Sequence, residues 1–227
     1  MNIAIIPARG GSKRIPKKNI KLFLEKPIIA YSIEAAINSK LFDVVMVSTD
    51  NKEIAEIAIQ HGAQVPFYRS EVNASDYATT FAVIEEVIEY YHQKEIIFEN
   101  ICCIYPCAPF VNSEKLTSAY NLLVENKFDS VFPVVNFGFP IQRALKIKDN
   151  KASFFQDEFA LTRSQDLEKS YHDVGQFYWM NTEKVMAKKQ VLTENSGAII
   201  VSELESQDID NEIDWKLAEL KFNLNNK

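Results

Sequence analysis

Short apolar runs alternate along this chain with longer stretches whose apolar residues recur every three or four positions. Ile3 to Ile6, Val44 to Val47, Ile101 to Tyr105 and Ser130 to Val135 are too short for helices and predict buried strands. Between them the helical period takes over. Asp50 followed by Glu53 has the spacing of an N-terminal cap; Ile54, Ile57 and Ala58 then share a face, and Gly62 supplies a stop. A second amphipathic stretch, from about Tyr77 to Gln93, would bury Phe81, Ile84, Val87, Ile88 and Tyr91. A third opens near Asn112 or Ser113 and would bury Leu116, Ala119, Tyr120 and Leu123. Strands alternating with helices predict an α/β fold, with a mostly parallel sheet covered on both faces.

Two segments break this rhythm. Ala8 to Lys26 separates the first strand from a helix opening at Pro27, a far longer connection than the two to six residues usual between a strand and a helix. Residues from about 137 to 173 have no helical period. There Ala144 to Ile147 and Ala152 to Phe155 flank Asp149-Asn150, a hairpin turn pair. This segment carries Phe137, Phe139, Ile141, Phe154, Phe155 and Phe159, more apolar surface than a free loop exposes. It reads as an arm that folds over a site or packs on a second subunit.

Composition narrows the function. With 227 residues there is room for one sizeable core. A net charge of −6 argues against nucleic acid or a membrane surface as partner, since both select basic surfaces. No stretch approaches the length of a membrane span, and the amino terminus lacks the apolar run of a signal peptide, so a cytoplasmic protein is expected. Cys102, Cys103 and Cys107 fall in one apolar segment and read as reduced thiols. His61, His92 and His172 fit no zinc spacing.

Against that acidic background, Arg9, Lys13, Arg14, Lys17, Lys18 and Lys21 crowd into thirteen residues, and no acid precedes Glu25. Gly10 and Gly11 would let successive amide N–H groups face an anion, and the loop leaves the carboxyl end of the first strand, where open α/β sheets bind ligands. A polyphosphate cradle is expected, although neither GxxxxGK[ST] nor GxGxxG is present. On charge alone, a solvated basic loop competes with this reading. Near the other end, Glu203 to Asp214 holds six acids and no base. Asp208 and Asp210 are two apart, so an extended backbone turns both carboxylates to one side, an arrangement suited to Mg²⁺ beside phosphate oxygens. Asp210 could equally cap the helix carrying Ile213, Leu217 and Leu220. A phosphate site and a metal pair together suggest nucleotidyl transfer, which depends on positioning and charge and needs no nucleophilic residue.

IPARGGSKRIPKKN resembles the signature of the CMP-sialic acid synthetases, nucleotidyltransferases with a Rossmann-like fold. VSTD (Val47 to Asp50), YRSEVNASD (Tyr68 to Asp76), LTRSQDLEKSY (Leu161 to Tyr171) and DIDNEIDW (Asp208 to Trp215) follow in the family order, so the resemblance spans nearly the whole chain. It implies one nucleotidyltransferase domain over residues 1–227 with a protruding dimerisation arm. It further implies CTP and a nonulosonic acid as substrates, and a homodimer. By it, Arg9, Lys13 and Lys18 act in catalysis, while Ala8, Gly10, Gly11, Ser12, Asn19, Arg69, Asp76, Thr79 and Thr80 hold the nucleotide; Asp208 and Asp210 hold Mg²⁺.

The departures concern the sugar. Where the sialic acid enzymes read roughly LQPTSPLR, this chain has IYPCAPF, placing Tyr105 and Cys107 where glutamine and threonine stand. In YHDVGQFYW, Val174 precedes Gly175 where those enzymes have asparagine-glycine. These variants resemble the pseudaminic acid cytidylyltransferases, whose sugar has a terminal methyl and a second acylamino group and suits a less polar pocket. Tyr105, Gln142, Arg143, Lys146, Arg163, Gln165 and Tyr171 are the sugar-binding candidates, with Arg143 or Arg163 suited to its carboxylate. The same reaction on N-acetylneuraminic or legionaminic acid is the alternative, and a non-catalytic nucleotide-binding module is the rival from another class.

Overall fold

The computed structural model describes residues 1–225. In chain order its elements are β1 (Asn2–Pro7), β2 (Leu22–Phe23), β3 (Lys26–Pro27), α1 (Ile28–Ser39), β4 (Val44–Ser48), α2 (Lys52–Gln60), α3 (Glu71–Ala74) and α4 (Thr80–His92). There follow β5 (Asn100–Ile104), α5 (Ser113–Asn126), β6 (Ser130–Asn136), β7 (Leu145–Lys148), β8 (Lys151–Phe154), β9 (Tyr171–Asp173), β10 (Phe177–Asn181), α6 (Thr182–Lys188), β11 (Ser196–Ile200) and α7 (Glu212–Asn225).

The four expected strands all form, and they lie in one sheet of order β11-β6-β10-β5-β1-β4. β1 pairs in parallel with β4 and β5, and β6 with β11, while β10 runs antiparallel between β5 and β6. The apolar runs have no alternation because both faces are covered. Ala4, Ile6, Cys102 and Trp179 pack towards α1, α2 and α5, while Ile3, Ile5, Cys103 and Tyr178 pack with Ile84 and Val87 of α4. Trp179 is fully buried, and its indole N–H donates to the Leu116 carbonyl at 3.0 Å, so its one polar atom is satisfied.

A third cluster, separate from the sheet, joins the two ends of the chain. Ile15, Phe23 and Ile28 pack with Phe110, Ile209, Trp215 and Ala218. The rings of Phe23 and Trp215 meet edge-on with centroids 5.7 Å apart. The long connection after β1 is thereby anchored by its own apolar residues.

Several helix limits differ from the sequence reading. The cap of α2 is Asn51, whose side chain accepts from the Ile54 N–H, because Asp50 is engaged by the basic loop. α4 starts at Thr80 on the cap of Thr79; Tyr77 lies outside it, exposed, and Phe81 and Ile88 are only half-buried, as is Tyr120 on α5. The start of α7 is held by Asn211, which accepts from Ile213 and Asp214, rather than by Asp210. Its buried residues are Trp215 and Ala218, whereas Ile213, Leu217 and Leu220 face outward.

In the arm the hairpin forms as expected. Asp149 and Asn150 both have positive φ, the geometry of a two-residue turn, and join β7 to β8. Ile147, Phe155 and Leu161 are 77%, 65% and 98% exposed, so the arm's apolar residues have little cover within one chain. At its return, β9 pairs with the end of β6, and the chain steps through Val174–Gln176 before β10 crosses to β5. Among the described residues no helix is long and apolar enough to cross a membrane.

Candidate active site

A cavity of about 430 Å³ opens beyond the carboxyl ends of β1 and β5. The chain leaves β1 for β4 on one side and later returns as β5 on the other, and ligands of open α/β sheets settle at that reversal. Arg9, Ser12, Lys13, Arg14, Lys18 and Asn19 line the cavity from the basic loop; Asp76, Tyr105, Cys107, Gly175 and Asp208 complete it. Residues from both ends of the chain and three places between thus converge.

The loop's cations are distributed among acids from distant segments. Arg9 donates to Asp76 at 2.7 Å and Lys13 is paired with the same carboxylate. The hydrogen bonds from Lys13, then from Arg9, hold the Asp76 carboxyl below the usual carboxylate range. Arg14 pairs with Asp210 at 2.7 Å, Lys17 with Glu53 at 2.6 Å and Lys21 with Glu212 at 2.7 Å. Lys18 is different: among the described residues its Nζ donates to a carbonyl, that of Ile209, at 2.7 Å, so its charge faces the cavity without a carboxylate partner. Asn19 is buried, donating to the Arg9 carbonyl at 2.9 Å and accepting from the Cys107 thiol at 3.3 Å. Burial pushes that thiol up to about 12, which makes it a neutral wall rather than a nucleophile.

Of the two glycine amides expected at an anion, that of Gly10 already has a partner within the chain. The Gly10 N–H is taken by Asp50 Oδ1 at 2.7 Å, and a Cβ on Gly10 would stand 3.0 Å from Asn51, so this glycine serves a close approach of loop to helix. Neither Gly11 nor the fully buried Ala8 lines the cavity; the Ala8 amide continues the β1–β4 ladder to Ser48. The loop's side-chain cations Arg9, Lys13, Arg14 and Lys18 do line the cavity.

Other expected residues stand behind the cavity. Arg69 is buried, its guanidinium hydrogen-bonded to the side chain and carbonyl of Ser48. Burial lowers its pKa, opposed by Asp50 and Glu86. Thr79 caps α4, and the Thr80 hydroxyl shares a 2.9 Å hydrogen bond with that of Tyr105. Beside Tyr105 stands Tyr178, whose hydroxyl donates to Asp173 Oδ2 at 2.6 Å; burial pushes both phenols up, so neither ionises in the ordinary range. Asp173 Oδ1 accepts from the Gly175 N–H at 2.7 Å, and Gly175 has φ +61°, with nothing near its missing Cβ but the open cavity. Asp173 and Tyr178 carry no local signal in the sequence beyond the Gly175 that follows.

Of the sugar-binding candidates, only Tyr105 lines this cavity. Gln142 donates to the Glu168 carbonyl, Arg143 lies over the Phe139 ring, Lys146 over Phe155, and Arg163 pairs with Asp166, all contacts within the arm. Tyr171 sits on β9 opposite Asn136, and Gln165 lies in the turn at Ser164–Asp166. The arm extends from the sheet, which keeps these residues from their own chain's cavity.

Asp208 lines the cavity; Asp210 does not, but it pairs with Arg14, which does. Among the described residues no three His, Cys, Asp or Glu side chains stand together as a metal cage. One or two carboxylates beside a triphosphate still fit Mg²⁺, which draws its remaining ligands from phosphate and water.

A family model described as "Cytidylyltransferase" matches residues 3–210. The pseudaminic acid cytidylyltransferase of Campylobacter jejuni is 39% identical over 227 residues, covering 100% of this chain and 98% of the relative. The CMP-N,N'-diacetyllegionaminic acid synthase of Legionella pneumophila is 32% identical, covering 98% of this chain and 97% of its own. A solved CMP:2-keto-3-deoxy-manno-octonic acid synthetase, complexed with CTP, superposes with TM-score 0.71 over 99% of this chain and 98% of that one, at 14% identity. That last likeness is one of fold.

Proposed function

Because the chain belongs to the cytidylyltransferase family, we propose that it transfers CMP from CTP to the anomeric hydroxyl of pseudaminic acid, releasing pyrophosphate. What carries the reading is full-length likeness to a pseudaminic acid cytidylyltransferase, together with a cation-lined cavity at the sheet's switch point. Arg9, Lys13 and Lys18 face the triphosphate. Asp76 holds the first two in place until the polyanion displaces it, and Lys18 brings an unneutralised charge to the phosphorus. The acceptor oxygen bonds to the α-phosphorus, the bridging P–O bond breaks, pyrophosphate leaves with the electron pair, and the hydroxyl proton passes to solvent. Asn19 keeps the loop at its distance through the Arg9 carbonyl, and Tyr105 and Cys107 give the floor its low polarity.

Asp208 and Asp210 would hold Mg²⁺, with Arg14 released from Asp210 as it binds. When present the ion neutralises developing charge on the phosphates. The arm's exposed apolar residues are read as a contact with a second copy of the chain, giving a homodimer, and Arg143 and Arg163 are read as serving the partner's cavity rather than their own. A cytoplasmic location, where CTP is available, and a role in bacterial flagellin or surface-glycan glycosylation go with this reading. The legionaminic acid relative keeps a second acceptor in view.

Pyrophosphate release tests it, using purified protein, Mg²⁺, CTP and pseudaminic, legionaminic and N-acetylneuraminic acids. Turnover should be fastest with pseudaminic acid and vanish on metal chelation. Turnover of N-acetylneuraminic acid alone would overturn the sugar assignment, and silence with every acceptor would favour a non-catalytic module.

A further inference from the structure

Asp208 stands on a strap, residues 201–211, that joins β11 to α7 and holds only one short turn, Glu203–Glu205. Carbonyls along it are satisfied by side chains instead of a ladder. Asn225 donates to that of Leu204 at 2.9 Å, Gln176 to that of Glu205 at 2.6 Å and Lys221 to that of Ser206 at 2.7 Å. We propose that Gln176 is a positioning residue for the transfer, acting through Asp208 by fixing the strap against the cavity floor. This rests on the cytidylyl-transfer reading above, and it adds a residue that does not line the cavity.

Connectivity is the first argument. Asn225 and Lys221 belong to α7, the strap's own continuation, and move with it. Gln176 belongs to the run into β10. Its carbonyl accepts from the Tyr105 N–H at 2.8 Å and its preceding neighbour is Gly175, and both Tyr105 and Gly175 line the cavity. One residue therefore holds the floor with its backbone and the strap with its side chain. The Glu205 it grips is held again by Lys115 of α5, which pairs with the carboxylate at 2.7 Å. Ile209 is buried in the third apolar cluster, so Asp208 is spanned between two fixed points, Glu205 and Ile209. Burial is the second argument. Gln176 is 1% exposed, and its Oε1 has no protein partner among the described residues. A buried amide with one half unpartnered favours folding less than an apolar side chain of that size, so what the amide adds is its donor. Charge is the third. Glu203, Glu205, Asp208 and Asp210 crowd the strap without a base, so mutual repulsion spreads it, and a directed bond has to set where Asp208 stands.

The test reads Asp208 apart from stability. Gln176→Met keeps the length of the side chain and loses the donor. Well below its melting temperature, the full-chain variant should show kcat lowered about tenfold or more, with the KM for CTP within about twofold, since misplacing a reacting group by about 1 Å costs up to about 100-fold. With no acceptor present, Mn²⁺ held together with CTP on the protein, followed by the water-proton relaxation it enhances, should bind about tenfold more weakly. Asp129→Asn, at the opposite end of the sheet, loses stability as well but should leave both readings alone. Should Gln176→Met fail to fold, Lys221→Met, which frees the Ser206 carbonyl from a half-buried place on α7, decides on the same terms. The assignment is overturned if the deciding variant turns over CTP and holds Mn²⁺ as wild type does, or if Asp129→Asn lowers both equally. Failure of the underlying reading looks different: wild-type protein then turns over no nonulosonic acid at all.

Discussion

Lys18 differs in kind from the five other cations of its loop, each of which is paired with a carboxylate, while Lys18 rests on a carbonyl. A charge already neutralised must exchange partners to help a phosphate, whereas Lys18 is ready. Lys18→Met should therefore lower kcat by about 100-fold or more, on the order of 2.7 kcal/mol of transition-state stabilisation, and raise the KM for CTP much less. Melting followed by circular dichroism should show little loss, since one hydrogen bond to Ile209 is worth roughly 1 kcal/mol. The sequence displays six cations as one cluster, and the resemblance singles out Arg9, Lys13 and Lys18. It does not reveal which charges are cancelled, because the partners lie 36 residues away for Lys17 and 191 for Lys21, beyond any local pattern. The partner of the Gly10 amide was hidden for a related reason: whether it faces a ligand or the neighbouring Asp50 is decided by tertiary packing.

Among the elements, the strands were the most legible, because burial on both faces leaves an uninterrupted apolar run that nothing else in the chain imitates. Helix limits were less so, since Asp50 and Asn51 are both good caps and only the loop's demand for Asp50 decides between them. The corner where β6, α6 and the segment before β11 meet had no sequence signal at all. There the buried Asp129 carboxylate accepts from Lys188 at 2.8 Å, Thr193 at 3.0 Å and Asn195 at 3.1 Å. The Lys188 bond, aided by the other two and opposed by desolvation, depresses its pKa. A depressed carboxylate stabilises the fold above its unfolded pKa, and that stability is lost as pH falls through the folded value. Asp129→Asn should cost on the order of 2 kcal/mol at neutral pH, and the gap in Tm from wild type should close as the pH drops from about 5 to below about 4. The arm makes a different prediction. With Ile147 and Phe155 exposed on one chain, Ile147→Asp with Phe155→Ser should abolish self-association, reducing the mass seen by light scattering to the 26.0 kDa of the monomer. An unchanged dimer would remove the arm from the interface.

At the scale of the whole molecule, the cavity takes its lining from both the beginning and the end of the chain, which are held together. Charge contributes little to this, for the Lys21–Glu212 pair is solvent-facing and such pairs are worth about 1 kcal/mol at most. The apolar cluster of Ile15, Phe23, Ile209 and Trp215 does more, since Ile15 is three residues from Lys18 and Ile209 follows Asp208 directly. The alternation of strands and helices announces the sheet but not this third core, because its members are scattered singly, in loops, in β2 and at the starts of α1 and α7. Trp215 is 3% exposed, and Trp215→Ala should cost roughly 3–5 kcal/mol. If the cluster positions the cavity as well as stabilising the fold, kcat/KM for CTP should also fall by about tenfold well below the variant's melting temperature, where the chain is still folded. Ile213→Ala, on the same helix but 78% exposed, should change stability by less than about 0.5 kcal/mol and leave turnover alone. A Trp215 variant that melts early yet turns over normally in the cold would show that Lys18 and Asp208 are held by the loop's own contacts, and that the two ends meet for stability alone.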